Sequence, residues 1–407
     1  MRLERMTARI VLFTAVLLLL AVALAGAATT PLRPESKDGV LVFASEDGQF
    51  KWWLDGRVNL DGAFFKEDKN SLGDGVQIRR ARLAIKSVLW GDWYAEWDCD
   101  FSGEAVAMKD AFVRYENLFH RTGYVRVGNF KEPFGFEEIT SSRNLQFMER
   151  SQGLDAFMPG RKMGLEFAHY APSYRVAAGM FGPDVTVYET ESQDMTWNFT
   201  GRATWNGFRT DRSVLHVGAA GSWRQPQFAS GIVRFKTRNE YHVNNYKYVD
   251  TDDIQGVRRY GLLDGELAYV NRRLRLQSEG IAVNVLRATG YQDLSFSGGY
   301  LTASMFLTPD SHPYDWNDAE FGKVIPHGKY GAWELTSRFS KVDMTDHDVK
   351  GGISSAFTVG LNWYCNANVR VYGDVVLVNN DKDANARGSL VGNDDFDFFQ
   401  FRVLAAF

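Results

Sequence analysis

Apolar and polar side chains alternate along most of this chain with a period of two. Between residues 51 and 65, Trp52, Leu54, Val58, Leu60 and Phe64 fall on one face, and Lys51, Asp55, Arg57, Asn59 and Asp61 on the other. Trp93, Ala95, Trp97, Cys99 and Phe101 alternate with Tyr94, Glu96, Asp98 and Asp100. Phe357, Val359, Leu361 and Trp363 alternate with Thr358, Gly360, Asn362 and Tyr364. Successive side chains of a strand point to opposite faces, so each run predicts a two-sided strand. The sharpest case is 399–407, where Phe399, Phe401, Val403, Ala405 and Phe407 share a face and Gln400 and Arg402 lie behind it. A strand with so apolar a face and no later segment to cover it is expected in a barrel bathed in lipid.

About sixteen such runs are predicted, at 50–65, 75–90, 92–101, 107–117, 123–130, 161–170, 174–181, 197–207, 213–224, 260–270, 273–285, 296–306, 331–342, 355–365, 368–379 and 395–407. Turn signals such as Trp90-Gly91-Asp92, Ala171-Pro172-Ser173 and Asn366-Ala367-Asn368 separate them on one side, expected to be periplasmic. The long segments 131–160, 182–196, 225–259, 343–354 and 380–394 then fall on the outer side. Segment 307–330 breaks the rule, being long but on the turn side; it marks either a miscount or a functional turn. The polar faces carry Asp, Glu and Arg in mid-strand, which requires a wet interior. The expected fold is an all-β transmembrane antiparallel barrel of about sixteen strands with an inward-folded constriction loop.

Composition agrees. The chain has 46 basic and 50 acidic side chains, a net charge of −4, which excludes a strongly basic surface and hence a nucleic-acid partner. Arg2, Arg5 and Arg9, an apolar run from Ile10 to Leu24, and Ala25-Gly26-Ala27 read as a signal peptide over 1–27. The apolar run falls short of the roughly 20 residues that span a bilayer. Residues 28–49 are expected to form an N-terminal periplasmic segment and 50–407 the barrel, with no linker to divide it. Cys99 and Cys365 map to strands about five apart in a ring of roughly 4.8 Å spacing, too far for a disulfide, and are expected as free thiols.

The candidate chemistry lies in the long segments. Segment 131–160 is rich in Phe134, Phe136, Ile139, Leu145, Phe147, Met148, Leu154 and Phe157, with Arg143 and Arg150, so it is expected to fold into the lumen. In segment 225–259, Arg234, Lys236 and Arg238 point the same way at roughly 7 Å intervals, a candidate anion ladder. The charges expected on the lumen wall roughly cancel, so selectivity is expected from the constriction. Seven scattered His residues show no metal-binding spacing. No catalytic residue, metal or cofactor is assigned, and a channel is expected rather than an enzyme.

Several stretches, in order and spacing, resemble the phosphate-selective porin O/P family over nearly the whole length after the leader. They are Leu54-Asp-Gly-Arg-Val-Asn-Leu60, Arg79-Arg-Ala-Arg-Leu83, Arg126-Val-Gly-Asn-Phe130 running into Phe134-Gly-Phe-Glu137, Thr140-Ser-Ser142, Gly331-Ala-Trp-Glu-Leu335 and Gly360-Leu-Asn-Trp-Tyr364. The resemblance implies a trimer of sixteen-stranded barrels in the outer membrane of a Gram-negative bacterium. It implies a loop between strands 5 and 6 folded into the pore, and an arginine ladder between strands 9 and 10. Carried over, it makes Arg57, Arg80 and Arg126 lumen cations, Asp98 or Asp100 the constriction carboxylate, and Arg234, Lys236 and Arg238 a shortened ladder. Segment 307–330 departs from phosphate-specific members, which present lysines; here Asp315, Asp318 and Glu320 stand beside Lys323, His327 and Lys329, which weakens the case for strict phosphate selectivity. The implied function is passive diffusion of small hydrophilic solutes with a preference for anions such as inorganic phosphate. Its rivals are a general or sugar-selective porin and a plugged structural or adhesive barrel. Expected partners are outer-membrane lipid, two further copies in a homotrimer, and barrel-assembly machinery reading the strand that ends in Phe407.

Overall fold

The computed structural model describes residues 33–37, 40–185, 196–210, 213–227 and 230–407. The signal peptide expected over 1–27 lies outside them, as does the start of segment 28–49. Sixteen strands close into one antiparallel barrel. They are β1 Lys51–Lys66, β2 Gly75–Leu89, β3 Trp93–Asp100, β4 Ala107–Leu118, β5 Gly123–Lys131, β6 Arg161–Ala171, β7 Tyr174–Phe181 and β8 Asn198–Thr210. The second half is β9 Ser213–Arg224, β10 Val257–Asn271, β11 Leu274–Arg287, β12 Leu294–Phe306, β13 Ala332–Asp346, β14 Val349–Tyr364, β15 Val369–Asn380 and β16 Phe396–Ala406. Each pairs with its neighbour, and β16 returns to β1 in the register Ala406↔Arg57 to Asp397↔Lys66, so no barrel edge is left open along that seam.

The alternation sorts side chains as a lipid-bathed barrel requires. Asp55, Arg57, Asn59 and Asp61 of β1 are buried inward, whereas Leu54, Val58, Leu60 and Phe64 are exposed outward. Outward-facing aromatics gather near both rims, with Trp93, Tyr174 and Trp205 at the turn end and Phe199, Trp223 and Trp197 at the loop end. Between them lie Leu263, Leu267, Leu301, Phe339 and Val359, an exposed apolar band of the kind that contacts acyl chains. No helix among the described residues is long and apolar enough to cross a membrane. Cys99 and Cys365 are free thiols, as their strand positions predicted.

The sixteen strands coincide with the expected runs, but one connection does not. Segment 343–354, expected as a long outer loop, is mostly strand: β13 runs to Asp346 and β14 starts at Val349. The pairs Asp346↔Val349 and Thr345↔Lys350 close a tight hairpin there. Gly351, Gly352 and the polar residues around them broke the alternation and hid the ladder. Ahead of the barrel, Arg33–Lys37 and Val40–Ala44 form a hairpin whose second strand pairs with Lys51–Trp53 of β1. It covers the stretch of β1 that lies beyond the reach of β16.

Candidate functional site

Three connecting segments fill much of the lumen. Residues 132–160, between β5 and β6, fold inward as their apolar content predicts. They contain two short helices, α1 Phe136–Ile139 and α2 Gln152–Asp155. Backbone groups of this segment are held by the wall: the Arg370 and Asn362 side chains donate to the Leu145 and Gln146 carbonyls at 2.8 Å each, and Met148 N donates to Asp374 at 3.1 Å. These partners replace the water that an inward-folded backbone gives up. Segment 225–256 enters from the same end. Its Glu240 carboxylate accepts from Ser340 at 2.5 Å, from Thr358 at 3.1 Å and from Arg338.

The third segment is 307–331, the one that broke the loop-length rule. The strand count stands, and the segment is a turn-side insertion that folds back into the barrel. Within it Tyr314–Asp315 pairs with Glu320–Phe321. Phe321 is fully buried against Phe136 of α1, and Asn144 donates to its carbonyl. The two inward segments therefore meet inside the barrel.

What stays open lies between residues 139–144 and the β1–β7 wall. Two cavities of about 230 and 370 Å³ adjoin there, sharing Lys86, Glu96, Asp110, Lys131, Ser141 and Arg161. The first is also lined by Asp55, Arg57, Arg82, Asp98 and Arg143; the second by Arg114, Arg126, Arg175, Tyr124, Asp318 and Glu320. Together they present nine basic side chains against six acidic ones.

The arrangement of these charges is unusual for a sheet. Arg57 lies directly opposite Arg82, Arg114 opposite Arg126, and Lys131 opposite Arg161. Like charges at cross-strand positions destabilise a sheet unless something compensates them. Acids compensate most of the six: Arg161 makes a two-point pair with Asp110 (2.6 and 3.1 Å), Arg82 reaches Asp100 and Asp98 (3.2 and 3.4 Å), and Arg126 reaches Glu166 (2.8 Å). Lys86 and Arg143 both bind Asp55, at 2.7 and 2.6 Å. Lys131 has no acid partner among the described residues, but its ammonium donates to the Glu138, Ile139 and Thr140 carbonyls, which leaves Arg57 as the exception. Arg57 is 3 % exposed, forms no ion pair among the described residues, and its Nε and Nη1 donate to no protein group.

The other sites expected from sequence are dispersed. Arg80 is buried beside Glu149 of the inward segment, 3.6 Å away, and lines neither cavity. Asp98 lines the first cavity; Asp100 turns instead to Ala81 N, Ser102 and Arg82. Arg234, Lys236 and Arg238 alternate with the buried Phe235 and Thr237 along a stretch of which only Lys236–Thr237 is strand. Arg234 is clamped by Asp250 at both of its oxygens, Arg238 donates to Asn244 O and Asn245, and Lys236 is exposed. Sequence patterns missed Lys86, Lys131 and Arg161. The available signal was positional, since Lys131 and Arg161 bracket the long inward segment.

Comparison with known proteins sets this geometry in a family. The family model described as phosphate-selective porin O and P matches residues 53–407. An uncharacterised protein of Caulobacter vibrioides is 28 % identical over 370 residues, covering 84 % of this chain and 72 % of the relative. Porin O of Pseudomonas aeruginosa is 24 % identical over 420 residues, 91 % of each chain. Among solved structures, the anion-selective porin from Comamonas acidovorans superposes with a TM-score of 0.54 at 14 % identity, covering 88 % of this chain and all of that one. The trimer form of OmpT, an outer-membrane protein of Vibrio cholerae, gives 0.54 at 9 % identity, covering 88 % and 99 %. The chain belongs to the phosphate-selective porin O and P family and is an outer-membrane porin built as a closed sixteen-stranded barrel.

Proposed function

We propose that this porin passes small hydrophilic solutes with a preference for anions, phosphate among them. The observation that carries this is the three cross-strand cation pairs facing one lumen passage, with Arg57 left uncompensated. A stack of cations only partly neutralised by fixed acids offers an anion successive moderate sites, and conduction needs sites that bind and release. Arg suits phosphate through its planar fork of donors. On this reading Arg57 and Arg126 act in the passage beside Asp98. Arg80 stands behind the constriction, and Lys236 and Arg238 serve an outer vestibule. A homotrimer, as in the OmpT trimer form, is proposed for the assembly, with Phe407 closing the strand that assembly machinery reads.

Planar-bilayer recording in a salt gradient tests the proposal. Anion-selective reversal potentials and a block of chloride current by phosphate are expected. Arg57→Gln should move the reversal potential toward zero, whereas neutralising Arg234, Lys236 and Arg238 together should produce a smaller shift. Weak preference in the native protein would indicate a general porin, and negligible conductance a plugged barrel.

A further inference from the structure

On the wall across the lumen from the passage, three carboxylates converge. Glu266 of β10 lies directly opposite Glu279 of β11, and Asp264 sits two residues along β10 on the same inner face. All three are buried, at 4 % exposure or less, and oxygens from each lie within 4.8 Å of one another. Two of them are occupied. Arg202 forks onto both Glu266 oxygens at 2.8 Å, and His216 Nε2 sits 2.9 Å from one of them. Glu279 accepts Phe136 N at 2.5 Å, Glu137 N at 2.9 Å and the Tyr300 hydroxyl at 2.6 Å.

Asp264 is different. Both of its carboxylate oxygens are buried without any hydrogen-bond partner among the described residues, yet they face the other two acids. A buried, ionised carboxylate without a partner is strongly disfavoured. Three ionised acids with one guanidinium between them leave two negative charges uncompensated. One divalent cation supplies the missing charge.

We propose that Asp264, Glu266 and Glu279 bind one calcium ion. The donor set is all oxygen, which calcium takes at about 2.3–2.6 Å, so ligands on opposite sides of the ion stand up to roughly 5 Å apart. Oxygens from the three acids fall within that span, and calcium's flexible coordination suits three acids fixed by two strands, whereas magnesium demands a near-ideal octahedron at about 2.0–2.1 Å. The ion would sit under the start of α1, because Glu279 also holds the backbone of Phe136 and Glu137. It would thereby fasten the constriction segment to the wall. Spacing along the chain gave no hint of this, since the ligands come from two neighbouring strands.

Because segment 132–160 encloses the site, the ion should be loaded during folding. The test refolds the full chain in detergent with calcium or with EDTA, then dialyses it and measures bound metal. One calcium per chain is expected, together with a higher unfolding temperature than in EDTA. Terbium in place of calcium should luminesce on tyrosine excitation, given Tyr300 beside Glu279. Asp264→Asn should lose the bound metal and the EDTA sensitivity while still showing heat-modifiable migration. If that variant fails to refold, Glu279→Gln supplies the same comparison. A native protein that retains no calcium and gives no terbium signal would overturn the proposal, as would unchanged metal content in a folded Asp264→Asn protein. Either result would mean that protons, not an ion, hold the cluster together.

Discussion

Single charged residues hold the inward segment in place, and Glu149 shows how. Arg79 binds it through two nitrogens at 3.0 Å, Arg402 reaches it at 2.7 Å and Arg80 at 3.6 Å. Burial pushes this carboxyl upward, but the guanidinium groups of Arg79, Arg80 and Arg402 outweigh it and hold it well below the usual range. A depressed carboxyl stabilises the fold fully above its ordinary value, about 4.3, and that contribution is lost as pH falls through the folded value. Conductance should therefore hold steady at neutral pH and become larger or noisier only in acid below about pH 4. Glu149→Gln should show the loosened behaviour already at pH 7 and lose the acid transition. Single-channel recording between pH 7 and 3 checks both. Arg402 is a second such residue, fully buried and forked onto Asp61 at 2.7 and 2.6 Å. Replacing it with Met strands the buried Asp61 charge and removes one of the three guanidinium groups around Glu149, a loss of about 3–5 kcal/mol. A lowered urea midpoint would register it, and a midpoint like the native one would not fit.

At the scale of elements, the seating of α2 depends on glycine. A Cβ on Gly298 of β12 would lie 2.0 Å from the Gly153 carbonyl oxygen, and one on Gly153 would lie 2.4–2.5 Å from backbone of Lys341 and Gly299. These contacts are backbone on backbone, so no side chain can swing aside. Gly298→Ala should therefore push α2 off the wall, costing about 1–3 kcal/mol as overpacking does. The displaced segment should also change single-channel conductance; an unchanged conductance would mean that α2 tolerates the shift. The lumen wall shows a division between elements as well. On the β10–β16 side, Arg338, Arg370 and Arg402 pair with acids or hold inward backbone. On the β1–β7 side, cations face cations across the ladder.

For the whole molecule the critical event is closure of β16 on β1. Gly56 and Phe407 exchange backbone hydrogen bonds at 2.8 and 3.0 Å, and the Phe407 ring covers Gly56 so closely that a Cβ there would lie 2.4 Å from it. Phe401 covers Gly62 in the same way. An aromatic laid over a cross-strand glycine shields backbone that has no side chain of its own and fixes register. Deleting Phe407 removes both bonds at the seam. The deletion should lower the fraction of folded, heat-modifiable protein in outer-membrane fractions. A yield equal to that of the native chain would show that the seam closes without it.

The alternation of side chains by itself determined the class of fold, the sixteen strands and the wet interior, because face choice along a strand is a local property with a period of two. It also marked 132–160 as an inward segment, since so many aromatic residues have no stable place in water. Cys99 and Cys365 could be separated on strand count alone. Which cations matter could not be read this way. Arg57 and Arg82 are 25 positions apart in sequence, and only the β1–β2 register sets them opposite each other. Lys131 and Arg161 meet only because the segment between them turns inward. Segment 307–331 gave no sign that it would rise to meet α1, because the contact between Phe321 and Phe136 joins two insertions from opposite rims. The cavities these cations line are the space left after the inward segments have packed. Their shape and charge depend on long-range placement, which pairwise register and packing determine and local pattern does not.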